Sequence, residues 1–303
     1  MHLRKLAANL PWRRFGSAEP RQRKMTVLGP RGFYRLAYVE WGDPDNPRVL
    51  LCVHGLTRNG RDFDRIASAL ADRWRVVCPD VPGRGESDWW EFKTDYGNPN
   101  YVPACAALIA RLGVEKVDWL GTSMGGIIGM LTASMPQAPI ARLIVNDVGP
   151  FIPKAAVERI ATYVGADPRF ADLDEAERMY RQIAAPFGIK RDEDWRFLAR
   201  ISTRPAEEGK LRLHYDPGIA IPFKAAPIAD LAFWPVWDAI KCPVLTLRGV
   251  ESDLLLPETA EEMTRRGPKA ELAVVPGCGH APALMEEDQI GIVRNWLERT
   301  PAT

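Results

Sequence analysis

A serine with a glycine two residues away on each side occurs in the string Gly121-Thr122-Ser123-Met124-Gly125-Gly126. Before it runs an apolar segment that reads as a buried strand, Lys116-Val117-Asp118-Trp119-Leu120, and after it one that reads as a helix, Ile127 to Met135. In a Gly-x-Ser-x-Gly elbow the chain turns so sharply from strand to helix that the serine takes a strained conformation, and a bulky side chain two residues away on either side would clash. The hydroxyl is then pushed out at the carboxyl end of a sheet. A helix N-terminus beneath it favours developing negative charge. Ser123 is the candidate nucleophile; the plainer reading is a serine N-cap on a glycine-softened turn.

A serine hydroxyl is too weak an acid to attack a carbonyl unaided, so it needs an imidazole to take its proton and a carboxylate to orient that imidazole. His280, in Pro276-Gly277-Cys278-Gly279-His280-Ala281-Pro282, follows the last expected strand, and the glycines around it let the loop fold back. Of the other three histidines, His2 is at the terminus, His214 lies in a helical segment and His54 follows a different strand. For the acid, Asp253 is the first choice, because it follows the strand that precedes the histidine's strand. Asp147, after Leu143-Ile144-Val145-Asn146, is the rival, and Glu251 comes third.

Attack on a carbonyl creates an oxyanion, which needs donors already in place. The backbone N–H of Met124, next to the nucleophile, is one. The glycine turn Val53-His54-Gly55-Leu56-Thr57 offers the N–H of Leu56 as the second. His54 then reads as a buried residue that ties down this loop. Arg58, close by, is expected to be a solvated arginine rather than a carboxylate binder.

These groups need a scaffold that brings distant positions to one edge. Short β-rich runs alternate with helical patterns over most of the chain, which argues for a mainly parallel sheet covered on both faces. Strands are expected at Tyr34–Trp41, Val49–Val53, Arg75–Pro79, Val117–Leu120, Leu143–Asn146, Val244–Arg248 and Leu272–Val275. Helices are expected near Asp62–Asp72, Tyr101–Leu112, Met124–Met135, Glu258–Arg266 and Glu286–Arg299. Between Gly149 and about Pro235 the alternation gives way to helix-like patterns broken by prolines, too long for a simple crossover. Three parts are therefore expected: a basic, flexible extension at 1–24; a core at 25–148 and 236–303; and a helical cap at 149–235, over the sheet edge where ligands bind.

The chain has 303 residues, 46% hydrophobic and 26% charged, with a net charge of +1. That size and balance suit a packed core and call for neither nucleic acid nor an anionic membrane. No segment approaches the roughly 18 unbroken apolar residues of a membrane span. Five widely spaced cysteines fit a reduced cytoplasm, and four histidines without a ligand-like pair give no reason to expect a metal. No cofactor is expected, and a monomer or homodimer acting on a small molecule is.

With nucleophile, acid and base in the order Ser123, Asp253, His280, the chain resembles the α/β-hydrolase fold family over about residues 26 to 300. The His54-Gly55 pair, the turn from Pro79 to Asp88 and Gly279-His280 add to the likeness. The resemblance implies an eight-stranded, mostly parallel sheet with helices on both faces and an inserted cap. It also implies a serine esterase that cleaves small to medium apolar acyl or aryl esters through an acyl-enzyme. Relatives with a serine elbow and cap include lactonases and hydrolases that cleave carbon–carbon bonds in aromatic ring-fission products. Epoxide hydrolases and haloalkane dehalogenases use an aspartate where this chain has Ser123. A ligand sensor on the same fold is the non-enzymatic reading. Trp89, Trp90, Phe151, Phe187 and Trp234 are the candidate walls of an apolar substrate pocket.

Overall fold

The computed structural model describes residues 19–303. Eight strands form one sheet in the order β1-β2-β4-β3-β5-β6-β12-β13. They are β1 (Arg21–Gly29), β2 (Gly32–Trp41), β3 (Val49–Val53), β4 (Arg75–Pro79), β5 (Val117–Thr122), β6 (Ile140–Asn146), β12 (Val244–Gly249) and β13 (Glu271–Val275). The β1–β2 and β2–β4 pairs are antiparallel and all other pairs parallel. Every residue of β3, β6 and β12 is buried. Central parallel strands covered on both faces read as continuous apolar runs for this reason.

The covering helices are α1 (Asp64–Leu70), α2 (Asn98–Leu112), α3 (Met124–Ala133), α9 (Pro257–Arg265) and α10 (Glu287–Arg299). All five lie where apolar periodicity predicts helix. α2 stops at Gly113, whose φ of 73° is the left-handed conformation that ends helices.

Between β6 and β12 the chain leaves the sheet. It forms α4 (Lys154–Tyr163), α5 (Leu173–Ile183), α6 (Asp192–Ile201), α7 (Ala220–Ala225) and α8 (Trp234–Ala239). Short strands stitch these together: β7 (Phe151–Ile152) pairs with β11 (Leu231–Ala232), and β10 (Leu211–Leu213) joins β8 (Arg169–Phe170) to β9 (Thr203–Pro205). The proline-broken helical pattern of this stretch corresponds to α4, α5 and α6.

The N-terminal expectation is corrected in part. Residues 1–18 of the expected extension lie outside the described residues, but Arg21, Arg23 and Lys24 belong to β1. An edge strand buries little of itself, and here Val27 is its only buried residue. Arg21 and Arg23 run alongside the buried carboxylate of Glu40 in β2, at 3.4 and 3.3 Å, so their charge does not oppose strand formation.

Candidate active site

The elbow between β5 and α3 holds Ser123 at φ 52°, ψ −115°, a left-handed conformation that costs a non-glycine residue about 1–3 kcal/mol. A Cβ on Gly121 would lie 2.2 Å from the Gly125 carbonyl oxygen, and one on Gly125 would lie 1.9 Å from that of Val53. No side chain fits at either position. The strain is held in place because the Ser123 N–H donates to the Asn146 carbonyl at 3.0 Å, fastening the elbow to β6.

His280 Nε2 lies 3.0 Å from Ser123 Oγ, and its Nδ1 lies 2.8 Å from Asp147 Oδ2. With a carboxylate facing Nδ1, that nitrogen carries the proton and Nε2 is free to accept one from the serine. The loop carrying His280 is held from three sides. The Gly279 N–H donates to the Pro186 carbonyl (2.7 Å), the Ala283 N–H to the Phe187 carbonyl (3.2 Å) and the Asn146 side-chain amide to the Pro282 carbonyl (2.9 Å).

Asp147 is fully buried at the end of β6. Its Oδ1 accepts from the Gly249 N–H at 2.8 Å, and its Oδ2 accepts from Ser252 Oγ at 2.6 Å as well as from His280. The first-choice acid is thereby corrected: Asp253 does not reach the imidazole. Its half-exposed carboxylate is paired with Arg159 of α4 at 2.5 and 2.9 Å. The turn after β12 explains the difference. Ser252 Oγ accepts the Leu254 and Leu255 N–H groups at 3.2 and 3.1 Å, which turns residue 252 inward and residue 253 outward. Glu251 is exposed.

Gly55 packs against Ser123; a Cβ built on it would lie 3.8 Å from Ser123 Cβ. The Leu56 and Met124 amides donate to no backbone carbonyl among the turns, loops and caps of the described residues. The Gly55 carbonyl accepts from His54 Nδ1 at 2.7 Å, while His54 Nε2 accepts from the Val81 N–H at 2.9 Å. Burial pushes the His54 imidazole down to about 3, so it is neutral and ties the Leu56 loop to the loop after β4. Arg58 is neither solvated nor available to a substrate. It is buried, paired with Asp62 at 2.6 and 2.8 Å, and 5.3 Å from the Tyr180 ring centre.

The five aromatic candidates scatter. Phe187 lies against the His280 loop through the carbonyl bond above. Trp90 is buried in an aromatic cluster, stacked on Tyr96 at 5.2 Å and edge-on to Tyr34 at 5.3 Å, and the groove it helps line, with Tyr34 and Phe92, contains none of Ser123, Asp147 and His280. Trp89 is flanked by the guanidinium groups of Arg204 and Arg212 in an open groove with Lys24 and Arg35. Phe151 pairs with Ala232 across the β7–β11 ladder, and Trp234 begins α8 beneath Arg266. Ser252 and Asn146 are what the sequence reading missed. A serine in a turn and an asparagine at a strand end carry no local signal of what they face.

Among the described residues no group of three or more His, Cys, Asp and Glu side chains could hold a metal ion, and no helix is long and apolar enough to cross a membrane. The five cysteines are buried thiols.

Known proteins share this fold. The chain is similar to the 3-hydroxybutyrate-oligomer hydrolase of Cupriavidus necator, with 49% identity over 284 residues, which span 91% of this chain and 97% of that protein. A solved structure from Rickettsia typhi, described as a hydrolase, superposes with a TM-score of 0.87 at 34% identity, covering 93% of this chain and all of that one. An alpha/beta hydrolase from Novosphingobium aromaticivorans superposes with a TM-score of 0.83 at 37% identity, covering 94% and 100%. The model of the alpha/beta hydrolase family matches residues 50–292, which take in the elbow, the histidine loop and the sheet between them. The chain belongs to the alpha/beta hydrolase family.

Proposed function

We propose that this hydrolase cleaves carboxylic esters, with oligoesters of short hydroxy acids such as 3-hydroxybutyrate as its substrate class. Ser123 is the nucleophile, His280 the base and Asp147 the residue that orients and charge-balances the imidazole. The observation that carries the reading is the continuous chain from Asp147 through His280 to Ser123, at 2.8 and 3.0 Å. Its substrate arm draws on the 49% identical relative.

In this reading Ser123 Oγ attacks the ester carbonyl and its proton passes to His280 Nε2. The carbonyl oxygen, now an oxyanion, accepts the Leu56 and Met124 N–H groups at the head of α3. Collapse of the adduct breaks the ester C–O bond. His280 returns the proton to the departing hydroxyl, and the acyl group stays on the serine. Water, deprotonated by the same imidazole, releases the acid. Residues 149–235 act as the cap, and Pro186 and Phe187 are its contact with the catalytic loop.

The test is turnover of linear 3-hydroxybutyrate dimers and trimers and of p-nitrophenyl butyrate by the native chain and by Ser123→Ala. Hydrolysis of both by the native chain, lost in the variant together with labelling by a fluorophosphonate, is expected. Labelling that persists in Ser123→Ala overturns the nucleophile. Negligible ester turnover beside rapid cleavage of a ring-fission diketone overturns the ester reading.

A further inference from the structure

Arg84 lies in the turn from Pro79 to Asp88, away from the triad in sequence, and its guanidinium is wholly buried. Its Nε–H donates to the Leu56 carbonyl at 2.9 Å. One terminal nitrogen donates to the Pro82 carbonyl at 2.8 Å and to Tyr101 Oη at 2.6 Å; the other points at Met124 Sδ, 3.7 Å away. Every one of these acceptors is neutral. Among the described residues no carboxylate pairs with this cation. Arg58, Arg65 and Arg142, buried like it, each sit on an aspartate. Arg248 also binds carbonyls alone, but all of them belong to the turn between residues 250 and 255.

Arg84 therefore touches both residues whose amides are offered to the oxyanion. The two peptide planes flanking the Leu56 Cα are each pinned by their oxygens. The Gly55 oxygen is held by His54 and by the Arg58 N–H at 3.1 Å, and the Leu56 oxygen is held by Arg84. With both planes fixed, the Leu56 N–H points in one direction before any substrate arrives. A buried guanidinium without a counter-ion raises the energy of the resting protein. Negative charge developing on a nearby ester oxygen relieves that cost during the reaction.

We propose that Arg84 is a positioning residue of the oxyanion site: it fixes the Leu56 amide through the Leu56 carbonyl, holds the Met124 side chain, and supplies the positive charge behind both. The inference rests on Ser123 as nucleophile but needs no particular ester. The rate of Ser123 phosphonylation by a fluorophosphonate, in which the P=O oxygen occupies the carbonyl oxygen's place and fluoride departs, is therefore the main readout. Mass spectrometry of the labelled native chain tests the nucleophile by itself; a label on any other residue refutes that reading independently of Arg84.

The variants are Arg84→Gln, which keeps donors without charge, and Arg84→Lys, which keeps charge without the fork. Arg84→Gln is expected to slow phosphonylation and kcat for p-nitrophenyl butyrate by about 10–100-fold, with KM within about threefold of native. Arg84→Lys should retain more of both rates than Arg84→Gln. Tyr101→Phe, which removes one acceptor and leaves charge and packing, should stay within about twofold of native. Rates are normalised to the folded fraction of each variant, read by circular dichroism, so an Arg84 variant that folds only in part is still scored. Three results overturn it: Arg84→Gln with native rates, Arg84→Lys as slow as Arg84→Gln, or Tyr101→Phe losing as much rate as Arg84→Gln.

Discussion

Asp147 receives donors from three directions, and only one of them is the imidazole. The Gly249 N–H and Ser252 Oγ hold its carboxylate so that Oδ2 meets His280 Nδ1 at 2.8 Å. An asparagine at 147 that keeps the Gly249 bond presents an amide N–H to Nδ1 and favours the wrong imidazole tautomer; flipped, it keeps the tautomer but sets its N–H against the Gly249 N–H. Asp147→Asn is therefore expected to lower kcat by roughly 10⁴-fold, while Asp253→Asn, which releases only an exposed pair with Arg159, leaves kcat within about twofold. Steady-state kinetics on p-nitrophenyl butyrate decides the matter, and the opposite ranking would return the acid's role to Asp253. Ser123 and His280 were readable as a facing pair because the elbow and the glycine-rich loop constrain their neighbours sterically. The carboxylate that meets His280 was not, since two aspartates each followed a strand next to the site. What separates them is the inward turn of Ser252, a fact of backbone direction that residue identity does not encode.

At the scale of elements, strands buried on both faces and helices with an apolar stripe announced themselves through periodicity, and β3, β4, β5, β6 and β12 fall where the pattern puts them. β1 escaped because Arg21, Arg23 and Lys24 make its first half read as a basic, solvated segment, and its charge is balanced by Glu40 from the neighbouring strand. The loops around the Leu56 amide are joined by single buried groups, and this makes them sensitive to acid. His54 is depressed to about 3 by burial, below its ordinary 6.5, so the unfolded chain takes up a proton that the folded one refuses. Its contribution is complete above pH 6.5 and is lost as pH falls toward 3. Asp80, which accepts the Gly60 and Glu86 N–H groups, is raised to about 6 by burial and acts in the opposite sense. Its cost is absent below about pH 3.8 and grows as pH rises to 6. Between pH 4 and 6 the two oppose each other, each by up to about 1.4 kcal/mol per pH unit. Urea midpoints at pH 5, 6 and 7 are expected to fall more steeply on acidification in Asp80→Asn than in the native chain, and less steeply in His54→Asn. Equal slopes in all three proteins would count against both assignments.

For the molecule as a whole, the question is how firmly residues 149–235 sit on the sheet, since under the proposed function that sets how freely substrate enters. The contacts are polar and buried as well as apolar. The Asn59 side chain donates to the Ile201 carbonyl at 2.7 Å, the Gly85 N–H to the His214 carbonyl at 2.9 Å and the Asp216 N–H to the Gly83 carbonyl at 2.7 Å. Asp216 also gathers Tyr96 Oη and Lys93 Nζ. Deepest of all, Arg65 of α1 meets Asp194 of α6 with neither side chain exposed to water, and Arg191 adds a second cation to the same carboxylate. None of this was legible in the chain, because the partners are separated by up to 142 positions and their types are common on any surface. A buried ion pair is costly to break from one side and cheap to replace from both. Asp194→Asn alone should leave the Arg65 guanidinium without its buried carboxylate, with Glu193 at 3.7 Å as a more exposed partner, and lower unfolding free energy by about 3 kcal/mol, whereas the double change Arg65→Leu with Asp194→Leu should recover most of that loss. The pair also bears on motion. If docking through α6 is fixed during turnover, the double variant keeps the native kcat. If the segment must lift, removing the desolvated charges lowers the barrier to opening, and kcat for the bulkier oligomer rises while that for p-nitrophenyl butyrate does not. Urea denaturation alongside kinetics on the two substrates separates these outcomes. A single Asp194→Asn variant with native stability would show that the two charges contribute nothing to the docking.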